Sequence, residues 1–217
     1  MSRVINKRST QPSIVIIVDG EDEKWYLAKL KEHYPSELLK HTKLKPEMCQ
    51  SKKCKDLFDA AKVKIDEEYS RVILILDFDT IRGNTRELNS FRGLYARYLN
   101  VKNGALGRKD KWMTQLLVVI NNPCLEYWFL LHFKKTNKFY PDFASLKQDL
   151  KKIPELSSYD KSEDYYYDRP DIFDRLGACE GINNARKNSA EHNFCIQECC
   201  NKGVSEMRLL LDFFDGY

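Results

Sequence analysis

Three apolar runs in this chain each end in oxygen-bearing side chains, and that recurrence is its strongest chemical signal. Residues 13–18 (SIVIIV) run into Asp19-Gly20-Glu21-Asp22-Glu23, residues 72–76 (VILIL) into Asp77-Phe78-Asp79, and residues 116–120 (LLVVI) into Asn121-Asn122-Pro123-Cys124-Leu125-Glu126. Hard oxygen donors grouped in this way suit Mg²⁺ or Mn²⁺, and those ions suit phosphate substrates. Without a cation the same carboxylates would repel one another and take up protons. A single acid after a strand reads first as the cap of the next helix, and Asp19 or Asp22 alone fits that description. Three such strand ends, with an Asp-x-Asp on the middle one, favour a metal site. Asp77 and Asp79 point to one side if their strand continues. Glu23, four residues beyond Asp19, reaches back from a first helical turn, with Gly20 permitting a sharp backbone turn between them. The spacing alone serves a nuclease, a phosphatase or a nucleotide-binding fold equally well.

Carboxylates from separate segments meet only if a sheet brings their strand ends together. The three runs are continuous, rich in β-branched residues and too short for helices, as expected of strands buried on both faces of a parallel sheet. A weaker strand is expected at 41–45. Between the runs, helical spacing appears over residues 23–33, 53–68, 85–99 and 124–133, the last with Pro123 suited to an opening turn. Alternating strand and helix over 13–133 predicts an α/β domain with a largely parallel, Rossmann-like sheet flanked by helices. Beyond it, helices are expected over 142–152, 172–188 and 204–214. The organisation expected is therefore an α/β core over 1–135 and a helical extension over 136–217 covering it, or one continuous domain. In such sheets ligands bind beyond the carboxyl ends of the strands.

At 217 residues the chain can bury a substantial core, and 31% charged with 42% hydrophobic residues is a globular composition. The net charge of +4 permits a polyanionic partner without demanding one. No apolar run approaches the roughly 20 residues of a membrane span, and the opening segment lacks the apolar stretch of a secretory signal. A cytoplasmic protein without membrane contact is expected, with its seven cysteines reduced. Cys49 and Cys54 stand alone. His192, Cys195 and Cys199 would share one face of a helix, but no Cys-x-x-Cys pair accompanies them, so thiols packed in helices are expected rather than zinc.

The segments VDGEDEKWYL (18–27), LILDFDT (74–80) and INNPCLEYWFLLHF (120–133) together resemble the RloB-like branch of the TOPRIM (topoisomerase-primase) proteins. Tyr159-Asp160-Lys161 and INNARK (182–187) resemble the C-terminal half of that family, so the likeness spans most of the chain. It implies a TOPRIM fold and a setting in bacterial anti-phage or abortive-infection loci, often beside an ATPase. It also implies an Mg²⁺-dependent nuclease acting on DNA or RNA. In the TOPRIM pattern a glutamate follows the first strand and an Asp-x-Asp a later one. Here Asp19 takes the glutamate's place, one methylene shorter, and Asp77 and Asp79 match the Asp-x-Asp. The resemblance further implies Glu23 and Glu126 as metal ligands, with Asp19, Glu23 and Lys161 in catalytic roles and Lys161 meeting charge on the phosphate. The alternative is a TOPRIM-fold regulatory or nucleotide-binding module that acts with a partner ATPase and cleaves nothing. Self-association of the chain is compatible with both.

Other residues read more plainly. His132 follows WFLL on an apolar helix and is expected to be a packed, hydrogen-bonded histidine. Trp25, Tyr26, Trp128 and Phe129 are expected in the core. Tyr165, Tyr166 and Tyr167 look exposed, available to stack bases or meet a protein. Lys52, Lys53, Lys55, Arg82, Arg86, Arg108, Lys109 and Lys111 are candidates for backbone-phosphate contacts.

Overall fold

The β-branched runs form the strands expected of them, and their pairing sets the plan of the molecule. A computed structural model describes residues 12–41, 46–48, 53–105, 107–191 and 193–216. Strands β1 (Ile14–Val18), β3 (Arg71–Asp77) and β4 (Leu116–Asn122) lie side by side and parallel. β2 (Pro46–Met48) joins β1 in parallel, and β5 (Val204–Ser205) runs antiparallel along β4. The order is β2-β1-β3-β4-β5. The chain leaves β1 toward one edge and returns on its other side as β3, so a crevice opens between the carboxyl ends of these two strands. Asp19 and Asp77 stand there.

Helices cover both faces. On one, Ile14, Ile16, Val18, Ile73, Ile75 and Val119 pack against Tyr26, Leu27 and Leu30 of α1 (Glu21–His33) and against α6 (Glu126–Phe133). Leu146 and Leu150 of α7 (Phe143–Leu150) and Leu210 and Leu211 of α11 (Met207–Asp215) complete that layer, so the second half of the chain shares a core with the first. On the other face, Val15, Ile17, Leu74, Leu76 and Val118 meet Leu57 and Phe58 of α3 (Cys54–Asp66) and Phe91 and Tyr95 of α5 (Thr85–Lys102). Each such fully buried side chain contributes about 1.5–3 kcal/mol relative to exposure.

Helix α6 is apolar all round and buried through His132, as a helix enclosed on every side must be. The Trp128 indole N–H donates to the Tyr26 hydroxyl at 2.8 Å. Nδ1 of His132 lies 2.9 Å from the Trp128 carbonyl oxygen. Burial pushes the His132 imidazole down to about 4, so it is a neutral core residue as expected. Among the described residues no helix is long and apolar enough to cross a membrane.

Several boundaries differ from expectation. His41 closes helix α2 (Glu37–His41), and the remainder of the strand expected at 41–45 lies outside the described residues; β2 follows at Pro46. The single helix expected over 172–188 is two, α9 (Ile172–Arg175) and α10 (Ala178–Ser189). Gly177 separates them at φ +80°, a left-handed conformation that suits glycine. Val204 and Ser205, expected to open a helix, hydrogen-bond to β4 instead, and α11 starts at Met207. Cys195 lies in an irregular stretch and Cys199 and Cys200 in the turn after it rather than on a helix, and among the described residues no cysteine joins a potential metal-binding group. Cys49, Lys52 and His192 lie outside the described residues.

Candidate metal centre

Asp19 is the first residue beyond β1, Glu23 sits in the first turn of α1, and Asp77 is the last residue of β3. The fold brings one carboxylate oxygen from each within 4.8 Å of the other two. Asp19 and Glu23 are buried, and Asp77, partly exposed as a residue, keeps Oδ1 out of solvent without a hydrogen-bond partner. Glu126, the first residue of α6, is fully buried at their side. Its Oε1 accepts from the Tyr159 hydroxyl at 2.8 Å, while its Oε2 is buried with no partner. Two orphaned carboxylate oxygens in an all-oxygen donor set fit a hard divalent cation.

Electrostatics supports the same conclusion. Two like charges 4.8 Å apart repel by about 3–4 kcal/mol at an effective dielectric of about 20, so three ionised carboxylates cannot share this space without compensation. The acids respond by holding protons. Burial, then the Asp19 charge, raise Glu23 from 4.5 to about 8, with Glu126 and Asp22 adding smaller contributions. Burial, then Glu23 and Asp19, hold Asp77 well above the usual carboxylate range. Asp79 is raised by burial, partly offset by the Thr80 backbone and by Lys161 and Arg82.

The two acids of the Asp-x-Asp do not lie along one strand. The strand does not continue past Asp77; helix α4 (Phe78–Arg82) begins immediately, so Asp79 belongs to a helical turn and stands outside the close triad. The Pro123 carbonyl holds that turn by accepting the N–H groups of Phe78 (2.9 Å) and Asp79 (3.1 Å). Pro123 thus lies three residues before α6 rather than in its opening turn. The amides after β4 are not site donors either. Asn121 Oδ1 accepts from the Ser205 hydroxyl at 2.6 Å, and Asn122 donates to the Cys199 and Lys202 carbonyls, fastening the C-terminal segment to the sheet.

Lys161 reaches the centre from the far half of the chain. Its Nζ lies 2.6 Å from Glu126 Oε1, 2.7 Å from Asp22 Oδ2 and 4.3 Å from the centroid of the Phe143 ring. Burial alone would lower this ammonium; the Glu126 charge and the hydrogen bonds to Asp22 and Glu126 outweigh it and raise its pKa. Tyr165, Tyr166 and Tyr167 are not an exposed platform. They form helix α8 (Glu163–Tyr167), Tyr165 and Tyr166 are buried, and the Tyr166 hydroxyl lies 2.9 Å from that of Tyr159. Sequence reasoning missed Asp22, read as a cap, and the Tyr159–Tyr166 pair, because no local pattern signals distant contacts such as those of Asp22 with Lys161 and of Tyr159 with Glu126. Among the basic candidates, Arg82 is committed to Asn122 Oδ1 (2.9 Å), the Cys199 and Pro141 carbonyls and the Phe139 ring. Lys53, Lys55, Arg86, Arg108, Lys109 and Lys111 are exposed, Lys55 in a pair with Asp59.

Gly20 owes its identity to space rather than to its backbone angles, which are extended at φ −142°. A β-carbon there would lie 2.5 Å from Glu23 Oε2. Gly20→Ala is expected to leave the fold intact, displace the Glu23 carboxylate and weaken divalent-ion binding by about 10–100-fold, the range seen when groups orienting a ligand are altered. Mn²⁺ titration calorimetry beside a circular-dichroism melt checks both halves of that expectation.

No curated protein and no solved structure matches this chain. A family model described as RloB-like protein matches residues 14–213, a span that contains all the acids of the centre and Lys161. The chain belongs to the RloB-like family.

Proposed function

We propose that the chain is a metal-dependent nuclease that hydrolyses phosphodiester bonds of DNA or RNA, with Mg²⁺ or Mn²⁺ at Asp19, Glu23 and Asp77. The observation that carries this reading is the buried acidic triad at the β1/β3 crevice, with the Asp77 oxygen left unpartnered. A bound divalent ion supplies charge neutralisation at the scissile phosphate and a water made nucleophilic near neutral pH. Glu23, pushed up to about 8 without an ion, gives up its proton as the ion binds. Glu126 lends its orphaned oxygen to the ion's surroundings, and Asp79 stands on the rim. Lys161, about a third exposed, presents an ammonium where phosphate charge develops.

The likeness to TOPRIM proteins supports the same chemistry, with Asp19 in the place of a glutamate. Exposed Lys53, Arg86, Arg108, Lys109 and Lys111 supply contacts for a polynucleotide backbone. The setting is cytoplasmic anti-phage defence, with a partner ATPase gating activity and a second copy of the chain as a further partner. The test is to incubate purified protein with plasmid, single-stranded DNA and tRNA, with Mg²⁺, with Mn²⁺ and with chelator, alone and with any ATPase found encoded beside it. Cleavage that requires the divalent ion supports the reading. Intact polymers in every arm, with ion binding preserved, point instead to the regulatory module, and phosphate release from nucleotides alone to a small-molecule phosphatase.

A further inference from the structure

The acids of the centre fall into two groups, and one of them holds a built-in cation. Asp19, Glu23 and Asp77 gather their oxygens within 4.8 Å of one another. Asp22 and Glu126 clasp the Lys161 ammonium at 2.7 and 2.6 Å, the close approach of charge-assisted hydrogen bonds. Glu126 divides its oxygens between the groups. Oε1 faces Lys161 and the Tyr159 hydroxyl, whereas Oε2 is buried, unpartnered and electrostatically coupled to Glu23 and Asp77. A carboxylate with one oxygen on each of two cations is the usual bridge of two-ion phosphodiester sites, whose ions stand about 3.5–4 Å apart.

We infer that this centre takes one divalent ion, and that the Lys161 ammonium occupies the place of the second. The inference rests on reading the triad as a metal site and adds its stoichiometry. The lysine is built in rather than incidental. Ser162, the next residue, caps α8 by accepting the Tyr165 N–H, which fixes the backbone beside Lys161. The Phe143 ring lies against the ammonium, and the Tyr159–Tyr166 hydroxyl pair holds Glu126 in place to receive it. With Oε1 of Glu126 and Oδ2 of Asp22 given to nitrogen, a second divalent ion lacks the oxygens it needs.

Removing the ammonium should therefore open a second ion site. Mn²⁺ titration of the full chain, followed by calorimetry and electron paramagnetic resonance, should show one ion per chain with an isolated-ion spectrum. Lys161→Ala should bind two, with a spin-coupled spectrum, and Lys161→Arg, which keeps a cation, should stay at one. Lys161→Met preserves the apolar stem and repeats the measurement if the alanine variant melts early. Two ions in the parent chain, or one ion in both Lys161→Ala and Lys161→Met, overturns the inference while leaving the metal site standing. No Mn²⁺ bound by the parent at millimolar concentration overturns both.

Discussion

Asp77→Asn is expected to reduce divalent-dependent cleavage to background while making the ion-free protein more stable. The two effects have one cause. Asp77 contributes an unpartnered oxygen to the triad, so the amide removes an anionic ligand from a site whose affinity depends on such ligands. Loss of activity should be at least about 100–1,000-fold, the range for deleting one preorganised group that stabilises charge in a transition state. Ion-free, the same carboxyl is a burden: burial, Glu23 and Asp19 hold it well above its ordinary value of 3.8. A raised acid destabilises the fold above its unfolded value, because folding must then take up a proton or bury a charge. Asn carries neither cost. In chelator at pH 7–8 the variant should melt several degrees above the parent, and the difference should vanish near pH 4. Saturating Mn²⁺ should reverse the order. Differential scanning calorimetry with and without ion reads all three conditions. A variant that melts below the parent in chelator would show that Asp77 is held by favourable contacts, and the metal reading would lose its support.

That opposition between stability and chemistry also explains what the sequence disclosed. The apolar runs ending in acids were readable because strands buried on both faces must be continuously apolar, and their ends then stand out. Asp19, Glu23 and Asp77 converge because the chain reverses direction across the sheet between β1 and β3, a topology that the strand–helix alternation implies. The break between Asp77 and Asp79 has a local origin. An Asp-x-Asp reads the same whether the strand continues or a helix begins, and the Pro123 carbonyl that captures the Phe78 and Asp79 N–H groups lies more than forty residues away. Tyr165 and Tyr166 misled for a related reason. Their neighbours are Ser, Glu and Asp, so the segment looks solvated, yet its aromatic side turns inward onto Tyr159 and Phe129. Asn121, Asn122 and Arg82 are polar groups spent on joining the C-terminal segment to β4 and α4, a demand that only the folded arrangement creates.

Ion binding should be coupled to pH, with the sign set by Glu23. Its folded value of about 8 against an ordinary 4.5 means that the ion-free native state holds a proton which the unfolded chain has already lost. Stability from this group is complete below about pH 4.5 and falls as pH rises toward 8. Asp77, raised for the same reasons, adds to that slope. A divalent ion needs both carboxylates ionised, so binding at pH 7 should release one to two protons, and apparent affinity should climb about tenfold per pH unit for each proton displaced. The part of the climb due to Glu23 should level off above pH 8, where that group is already ionised, and cleavage at limiting ion should follow the affinity. Saturation at about 100 times the dissociation constant adds about 2.7 kcal/mol, or roughly 5–10 °C in melting temperature for a chain of this size. That gain should be largest at pH 8 and close to nil at pH 5. Calorimetric titrations in buffers of different ionisation enthalpy count the protons directly. A count of zero at pH 7, or ion-free stability that rises from pH 5 to 8, means that the triad is already ionised and compensated without an ion, and the chemistry assigned to it would have to be sought elsewhere in the fold.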